Sequence, residues 1–499
     1  MISKDRIYGS FIGNETVLEG TENTLTSPAD GSAIARVFFA TNELARTAID
    51  AAYDAQDPWS KTSLKQRKAL LGKLADILQE RSEEYAMLET MNTGKTIRQS
   101  TFMDIPLAIE HLRYFANEHE FRVKRRISHP EFPGTMGEIQ YAPMGVVGAI
   151  VPWNVPLLMT VWKVAPALLA GNTLVVKPSS YTPLTALELS KDAARAGFPQ
   201  GVLNVVPGKG RELGAALTSS RKVNMISFTG STETGQEIMR ESSASIKKVT
   251  LELGGKSPNI VFEDCDLEHA VSGVLFGIFL NSGQLCESGS RLLIQRSIRD
   301  RFVSRLKERL SLMKAGNPSD FETDVSAITN REQKNRIERM VEEGIRSGAE
   351  VEYSKNMSDS PSGGLYYPPT LLSSVTPDMV VGKEEIFGPV LSIMEFSDEE
   401  EAIRMANSSR YGLAAGVWSR DRVKCHRVAS KLQSGTVWIN EYHLLSAAAP
   451  RGGFKDSGIG RELGLEGILE YTQTRHIFIN AGESDLDEAA YGLIFSGEK

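Results

Sequence analysis

Hydrophobic and polar positions fall into three textures along the chain. Residues 42–56 and 64–91 carry apolar side chains at three- and four-residue spacing, which predicts two amphipathic helices. Between 136 and 259 short β-rich runs (146–151, 173–176, 202–206, 225–228 and 249–253) alternate with helical periodicity that begins at Leu157, Leu184, Arg211 and Thr232. This alternation predicts right-handed βαβ units on a parallel sheet. It resumes with a strand at 260–262 and a helix from Leu267, and continues through helical stretches at 336–348, 399–409 and 423–432. The expected class is therefore α/β, with two Rossmann-like parallel-sheet domains. Residues 121–141, charged at first and then alternating in strand fashion, and the extended run 471–480 fit neither sheet. The Ser-, Asp- and Gly-rich stretch 354–364 reads as a surface loop, and the acidic tail after Ala481 as disordered.

Composition narrows the class. A chain of 499 residues with 41% hydrophobic content is long enough for two or three domains. A net charge of −7 gives no electrostatic case for nucleic acid or an anionic membrane. The longest apolar stretch, 145–171, is interrupted by Pro152, Pro156, Lys163 and Pro166, and reads as strand, turn and buried helix rather than a membrane span. The first residues lack an apolar signal core, and three cysteines (Cys265, Cys286 and Cys425) make no disulfide framework. Both features point to a reducing cytoplasm. Cys265 lies in an acidic stretch that disfavours a thiolate, and Cys425 in a charged helical segment, so both are expected to be inert. No metal site is expected.

Cys286 stands apart. It sits in Asn281-Ser282-Gly283-Gln284-Leu285-Cys286-Glu287-Ser288-Gly289, where Gly283 and Gly289 let the backbone approach a ligand closely. Upstream lie Leu251-Glu252-Leu253-Gly254-Gly255-Lys256 and Val151-Pro152-Trp153-Asn154-Val155-Pro156. A thiol, a carboxylate flanked by glycines and a side-chain amide are the groups needed for covalent reaction at a carbonyl: nucleophile, activator of water and oxyanion donor. A nucleotide site is signalled by Phe228-Thr229-Gly230-Ser231-Thr232, which follows a predicted strand and opens a helix whose free N–H groups suit a pyrophosphate. The usual G-x-G-x-x-G fingerprint is absent, because the run from Gly208 through Gly210 to Gly214 is one residue too long.

With these motifs in this order, the chain resembles the aldehyde dehydrogenase superfamily from about Ser27 to about Ile479. The resemblance implies oxidation of an aldehyde to its acid through a Cys286 thiohemiacetal and a hydrolysed thioester. Asn154 would be the oxyanion donor and Glu252 the base, with Lys163 and Glu462 passing the proton outward. Transfer of the acyl group to coenzyme A is disfavoured, since members that do this generally lack a carboxylate at the Glu252 position. The implied cofactor is NAD, contacted by Ile150, Val151, Pro152, Trp153, Lys177, Ser180, Gly210, Gly214, Phe228, Thr229, Gly230, Ser231, Leu253, Gly254, Glu385 and Phe387. Ser180 stands where relatives often carry a glutamate that repels a 2′-phosphate, so NADP is also admitted.

The implied substrate tunnel takes Val155, Leu158, Met159, Trp162, Leu285, Glu287, Leu445 and Arg451. Arg451 replaces an aromatic common in relatives. It either reads a substrate carboxylate or forms a structural ion pair with Glu287 or Glu441. The domain assignment is 1–121 with 144–253 for cofactor, 254–455 for catalysis, and 122–143 with 456–499 as a small β oligomerisation arm and C-terminal segment of a dimer or tetramer. Two alternatives are a catalytically silent member of the family and a thiol hydrolase, for which His443 is the nearest available histidine.

Overall fold

In the computed structural model, residues 6–480 (apart from 119 and 133) and residue 494 are described. The expectations for the extreme N-terminus and for the acidic tail after Ala481 fall outside them.

The predicted alternation produces two parallel-strand sheets. The first runs in the order Gly458–Ile459, Lys248–Glu252, Val223–Thr229, Val146–Ile150, Thr173–Lys177, Leu203–Val205, Ser10–Ile12, Glu15–Val17. Its five central strands are parallel, and their residues are almost all buried, as a sheet covered by helices on both faces requires. From Val146–Ile150 the chain builds outward in one direction through Thr173–Lys177, then returns to build in the other through Val223–Thr229. The order therefore reverses between Val146–Ile150 and Val223–Thr229, and the C-terminal ends of those strands open a crevice there. The second sheet has seven strands, from Glu350–Ser354 at one edge to Thr436–Ile439 at the other. Only its Glu350–Ser354 edge pairs antiparallel.

The two segments that fitted neither sheet join each other. Thr472–Asn480 pairs antiparallel with Thr135–Pro143, which pairs with Lys124–Ser128. This three-stranded sheet exposes Phe478 and Met136.

Two helix predictions are corrected. The stretch 64–91 is two helices, Leu64–Glu80 and Ser82–Thr93, broken at Arg81 (φ −102°, ψ 14°). At the break the Arg81 guanidinium bonds Glu84 nearby and Glu188 and Asp192 far along the chain, and periodicity does not report the latter two. The helix expected at 336–348 is Arg331–Arg346 and starts a turn earlier, capped by Asn330 Oδ1 accepting from Gln333 N at 2.9 Å. Its first turn is entirely polar and so left no apolar signal. Among the described residues no helix is long and apolar enough to cross a membrane, and no group of His, Cys, Asp and Glu could hold a metal ion.

Candidate active site

The nucleophile loop is shaped by unusual backbone. Asn281 (φ 50°), Ser282 (φ 49°) and Gly283 (φ 71°) form a left-handed turn after the Leu267–Phe279 helix. Only Gly suits the last position, because a Cβ there would also strike the Gly388 carbonyl. The turn is pinned by Ser282 Oγ donating to Ser326 O (2.7 Å) and by Gln284 Nε2 donating to Asn281 O (2.9 Å) and Ala327 O (3.0 Å). Gly255 is the second glycine with a demand on it. A Cβ at that position would collide with the Cys286 carbonyl, so the turn after Glu252 can lie against the Cys286 loop only as glycine.

Cys286 lies partly buried in a cavity of about 140 Å³ with Asn154, Glu252, Leu253, Gly254, Glu385 and Phe387. The sequence-predicted thiol, carboxylate and amide are thus brought together from three separate segments. Asn154 Nδ2 donates to Gln284 O at 2.8 Å, which leaves its second N–H available, and Asn154 Oδ1 is buried without a partner. Burial pushes the Cys286 thiol up to about 11, and the positive charge of Arg451 works against that shift. Glu252 ends its strand with Oε1 buried and unpartnered. Burial first, and then the carboxylate of Glu462, hold its pKa well above the carboxylate range.

Lys163 and Glu462 join this cluster. Lys163 Nζ lies 2.5 Å from Glu462 Oε1 and 3.2 Å from Ser227 Oγ, which also accepts from the Tyr471 hydroxyl at 3.0 Å. Glu462 Oε2 is buried and free. Glu462, Lys163, Ser227 and Tyr471 therefore form one connected buried polar cluster, and the charge of Glu462 acts on Glu252. The other two cysteines lie elsewhere: Cys265 is pushed up to about 11 by burial and the neighbouring Asp264 and Asp266, and Cys425 is buried on its helix.

Through Pro152, Trp153, Thr229, Gly230 and Ser231 the thiol cavity continues into a groove of about 540 Å³ along the crevice of the first sheet. Ile150, Val151, Lys177, Gly210, Gly214 and Phe228 line the groove, all of them predicted. Ser231 caps the Thr232–Ser242 helix, its Oγ accepting from Thr234 N at 3.3 Å, so that the positive end of the helix faces the groove. Burial lowers Lys177 to about 8. Glu385 Oε1 accepts from Gly255 N at 3.0 Å, and burial raises this carboxyl to about 7. Phe387 (φ 57°) meets Trp153 edge to face at 5.2 Å.

Ser179, rather than Ser180, is among the residues lining the groove, and Arg211 lines it as well. Sequence reasoning missed these two, together with Gln333, Arg336 and Tyr411 around the thiol cavity. Gln333 Nε2 donates to both Ile386 O and Phe387 O at 2.9 Å and fixes the turn that carries Glu385 and Phe387. The one legible signal was Asn330 as a helix cap, which would have started that helix early enough to include Gln333.

Val155 precedes the Pro156–Ala170 helix, and Leu158, Met159 and Trp162 follow on it at helical spacing, all four buried. Leu285 and Leu445 pack against the same core. Leu445 also lines an open cavity of about 590 Å³, together with Leu107, Phe279, Asn281 and His443. Arg451 pairs with Glu287. Glu441, the other proposed partner, instead accepts from Tyr442 N through Oε1. His443 bonds Glu287 Oε1 (2.9 Å) and Gly277 O (3.1 Å).

Two parallel-strand sheets, with a nucleotide-type crevice leading to a buried thiol, carboxylate and amide, define a class of α/β proteins built for thiol chemistry beside a dinucleotide. The family is specific: residues 18–477 match the aldehyde dehydrogenase family, and the chain belongs to it. It is 43% identical to a betaine aldehyde dehydrogenase of Bacillus subtilis over 94% of this chain and 97% of that one. It is 41% identical to an aldehyde dehydrogenase of Emericella nidulans over 97% of both. A crystal structure of betaine aldehyde dehydrogenase from Staphylococcus aureus in complex with NAD+ superposes with a TM-score of 0.92 at 39% identity, covering 96% of this chain and 95% of that one.

Proposed function

We propose that the protein oxidises an aldehyde to the carboxylic acid, with a nicotinamide dinucleotide as hydride acceptor and water as acyl acceptor. The observation that carries this reading is the convergence of Cys286, Asn154 and Glu252 on one cavity at the end of the crevice groove.

The groove's residues fit the dinucleotide. Lys177 and the N-terminus of the Thr232–Ser242 helix supply donors for phosphate and ribose oxygens, and the Glu385 carboxylate suits ribose hydroxyls. The dinucleotide supplies hydride acceptance. The chain supplies the rest. The Cys286 thiolate adds to the aldehyde carbon. The free Asn154 N–H and the Cys286 backbone N–H receive the oxyanion, each such donor stabilising it by about 3–4 kcal/mol. Loss of hydride from this thiohemiacetal leaves a thioester on Cys286. Glu252 then takes a proton from water, the hydroxide displaces the thiol, and the acid departs. Glu462 and Lys163 stand next in line to pass that proton on.

The same reading makes the 122–143 and 472–480 strands an assembly arm, with Phe478 and Met136 meeting a second copy, and places the enzyme in the cytoplasm. Residues 1–121 with 144–253 then serve the cofactor, and 254–455 carry the nucleophile.

The test is a panel of aldehydes with NAD and NADP in parallel, followed by the absorbance of reduced nicotinamide. Formation of acid with equimolar reduced cofactor is expected. No reduction with any aldehyde would sink the reading.

Both cofactors are expected to work. Ser180, next to the groove-lining Ser179, brings no carboxylate to repel a 2′-phosphate, and Arg211 and Lys177 line the groove. Ser180→Glu is expected to shift the kcat/KM ratio toward NAD. A ratio that does not move would mean that Ser180 faces away from the ribose and leaves the choice to Arg211.

A further inference from the structure

The guanidinium of Arg451 is held on several sides. Its backbone is clamped by two bonds to Glu462, both 2.7 Å. Nη2 pairs with Glu287, which is itself held by His443, and Cζ lies 5.4 Å from the centroid of the Trp162 ring. Nη1 is left buried with no acceptor. On the same tryptophan, the indole N–H donates to His111 Nδ1 at 2.7 Å. An indole nitrogen can only donate, so His111 Nδ1 carries a lone pair and the ring proton sits on Nε2. That Nε2–H is also buried with no acceptor. Burial, and then the charge of Arg451, lower His111 to about 4, so the ring stays neutral and the tautomer stays fixed.

Both donors lie on residues at most 5% exposed and both flank Trp162, and a buried donor left unpaired calls for an acceptor. Trp162 shares its helix face with Val155, Leu158 and Met159, and Met159 lines the cavity of Cys286. Arg451 also lies close enough to the Cys286 sulfur to act on its charge.

We infer that the substrate carries an oxygen acceptor a few atoms from its aldehyde carbon, best met by a carboxylate, which Arg451 Nη1 and His111 Nε2 receive beside Trp162. This rests on the aldehyde-oxidation reading above and names the substrate class within it: short semialdehyde acids. The Glu287 pair aims the guanidinium without consuming it, because Nη2 alone serves that carboxylate and a planar fork has donors to spare. The structural and the substrate-reading roles of Arg451 are therefore one arrangement. A cationic aldehyde such as betaine aldehyde would bring its ammonium group up against the guanidinium.

The test compares aldehydes of matched chain length ending in carboxylate, hydroxyl and methyl, with betaine aldehyde as a fourth. The proteins are the wild type, Arg451→Lys and the double variant Arg451→Met/Glu287→Gln. The double variant removes the ion pair without stranding a buried charge. The readout is the kcat/KM ratio of the carboxylate to the methyl substrate within each protein, so any general loss cancels. The ratio is expected to favour the carboxylate in the wild type, to fall roughly 10- to 150-fold in the double variant, and to be partly kept in Arg451→Lys.

A hydroxyl substrate that leads the panel, even one whose advantage falls in the same way, overturns the assignment to semialdehyde acids. A wild-type preference for the methyl substrate or for betaine aldehyde, or a ratio unmoved in the double variant, overturns the inference while leaving aldehyde oxidation standing. A readout without turnover covers the remaining case. An unreactive dicarboxylate should protect Cys286 from alkylation in the wild type far better than an alkyl monocarboxylate of equal length. Equal protection overturns the inference even if no aldehyde is oxidised.

Discussion

Cys286→Ala is expected to abolish aldehyde oxidation while the dinucleotide still binds. Losses of a covalent nucleophile elsewhere reach on the order of 10⁴- to 10⁶-fold in kcat, and no second thiol lines the cavity. Cys265 and Cys425 lie outside the cavity. The groove for the dinucleotide is built from the crevice strands and the Thr232–Ser242 helix, none of which the thiol supports. The measurement pairs steady-state oxidation with cofactor binding by fluorescence. Turnover within 100-fold of the wild type (about 2.7 kcal/mol on a barrier) would remove Cys286 from the role of nucleophile. In the wild type, alkylation of Cys286 without cofactor should quicken as pH rises toward about 11, because burial disfavours the thiolate.

Glu252→Gln is expected to separate the two halves of the reaction. Attack and hydride loss need the thiol and the oxyanion donors, whereas hydrolysis of the thioester needs a base. A rapid burst of reduced cofactor, equal to the enzyme present, should be followed by a stall with steady-state turnover down roughly 10²- to 10⁴-fold. Glutamine keeps the shape and replaces a carboxyl whose pKa burial, and then Glu462, raise well above the carboxylate range. The same fact fixes the pH dependence. A base with a raised pKa is protonated and idle below that value, so wild-type deacylation should climb as pH rises through it. The variant should lose that climb. If the burst itself disappears, Glu252 acts before the thioester forms, and activation of the thiol becomes its role.

Much of this molecule is legible in its residues. The alternation from 146 to 253 dictates a parallel sheet because each buried strand must be followed by a helix that covers it. The strands at Val146–Ile150, Thr173–Lys177 and Val223–Thr229 fall within two residues of the hydrophobic runs that announce them. Asn154 is readable from the Pro152-Trp153-Asn154-Val155-Pro156 run. Cys286 and Glu252 are readable from the glycines near them, because a backbone that must approach a ligand or another loop closely leaves glycine as its mark. Gly255 against the Cys286 carbonyl is a case in point.

Polar segments were less legible. The turn carrying Gln333 and Arg336 has no apolar residue to give it a period, and Arg81 breaks a helix for the sake of partners about a hundred residues away. Only the tertiary structure could decide the state of Arg451. In the sequence it faced two acidic candidates and a tunnel. In the fold, Glu287 takes one arm of the guanidinium, Glu441 turns elsewhere, and Trp162 brings in His111, a residue with no motif around it. Local sequence sets which elements form, because periodicity and glycine act over a few residues. The pairing of buried charges and the donors left over from it depend on which distant segments meet, and packing alone settles that.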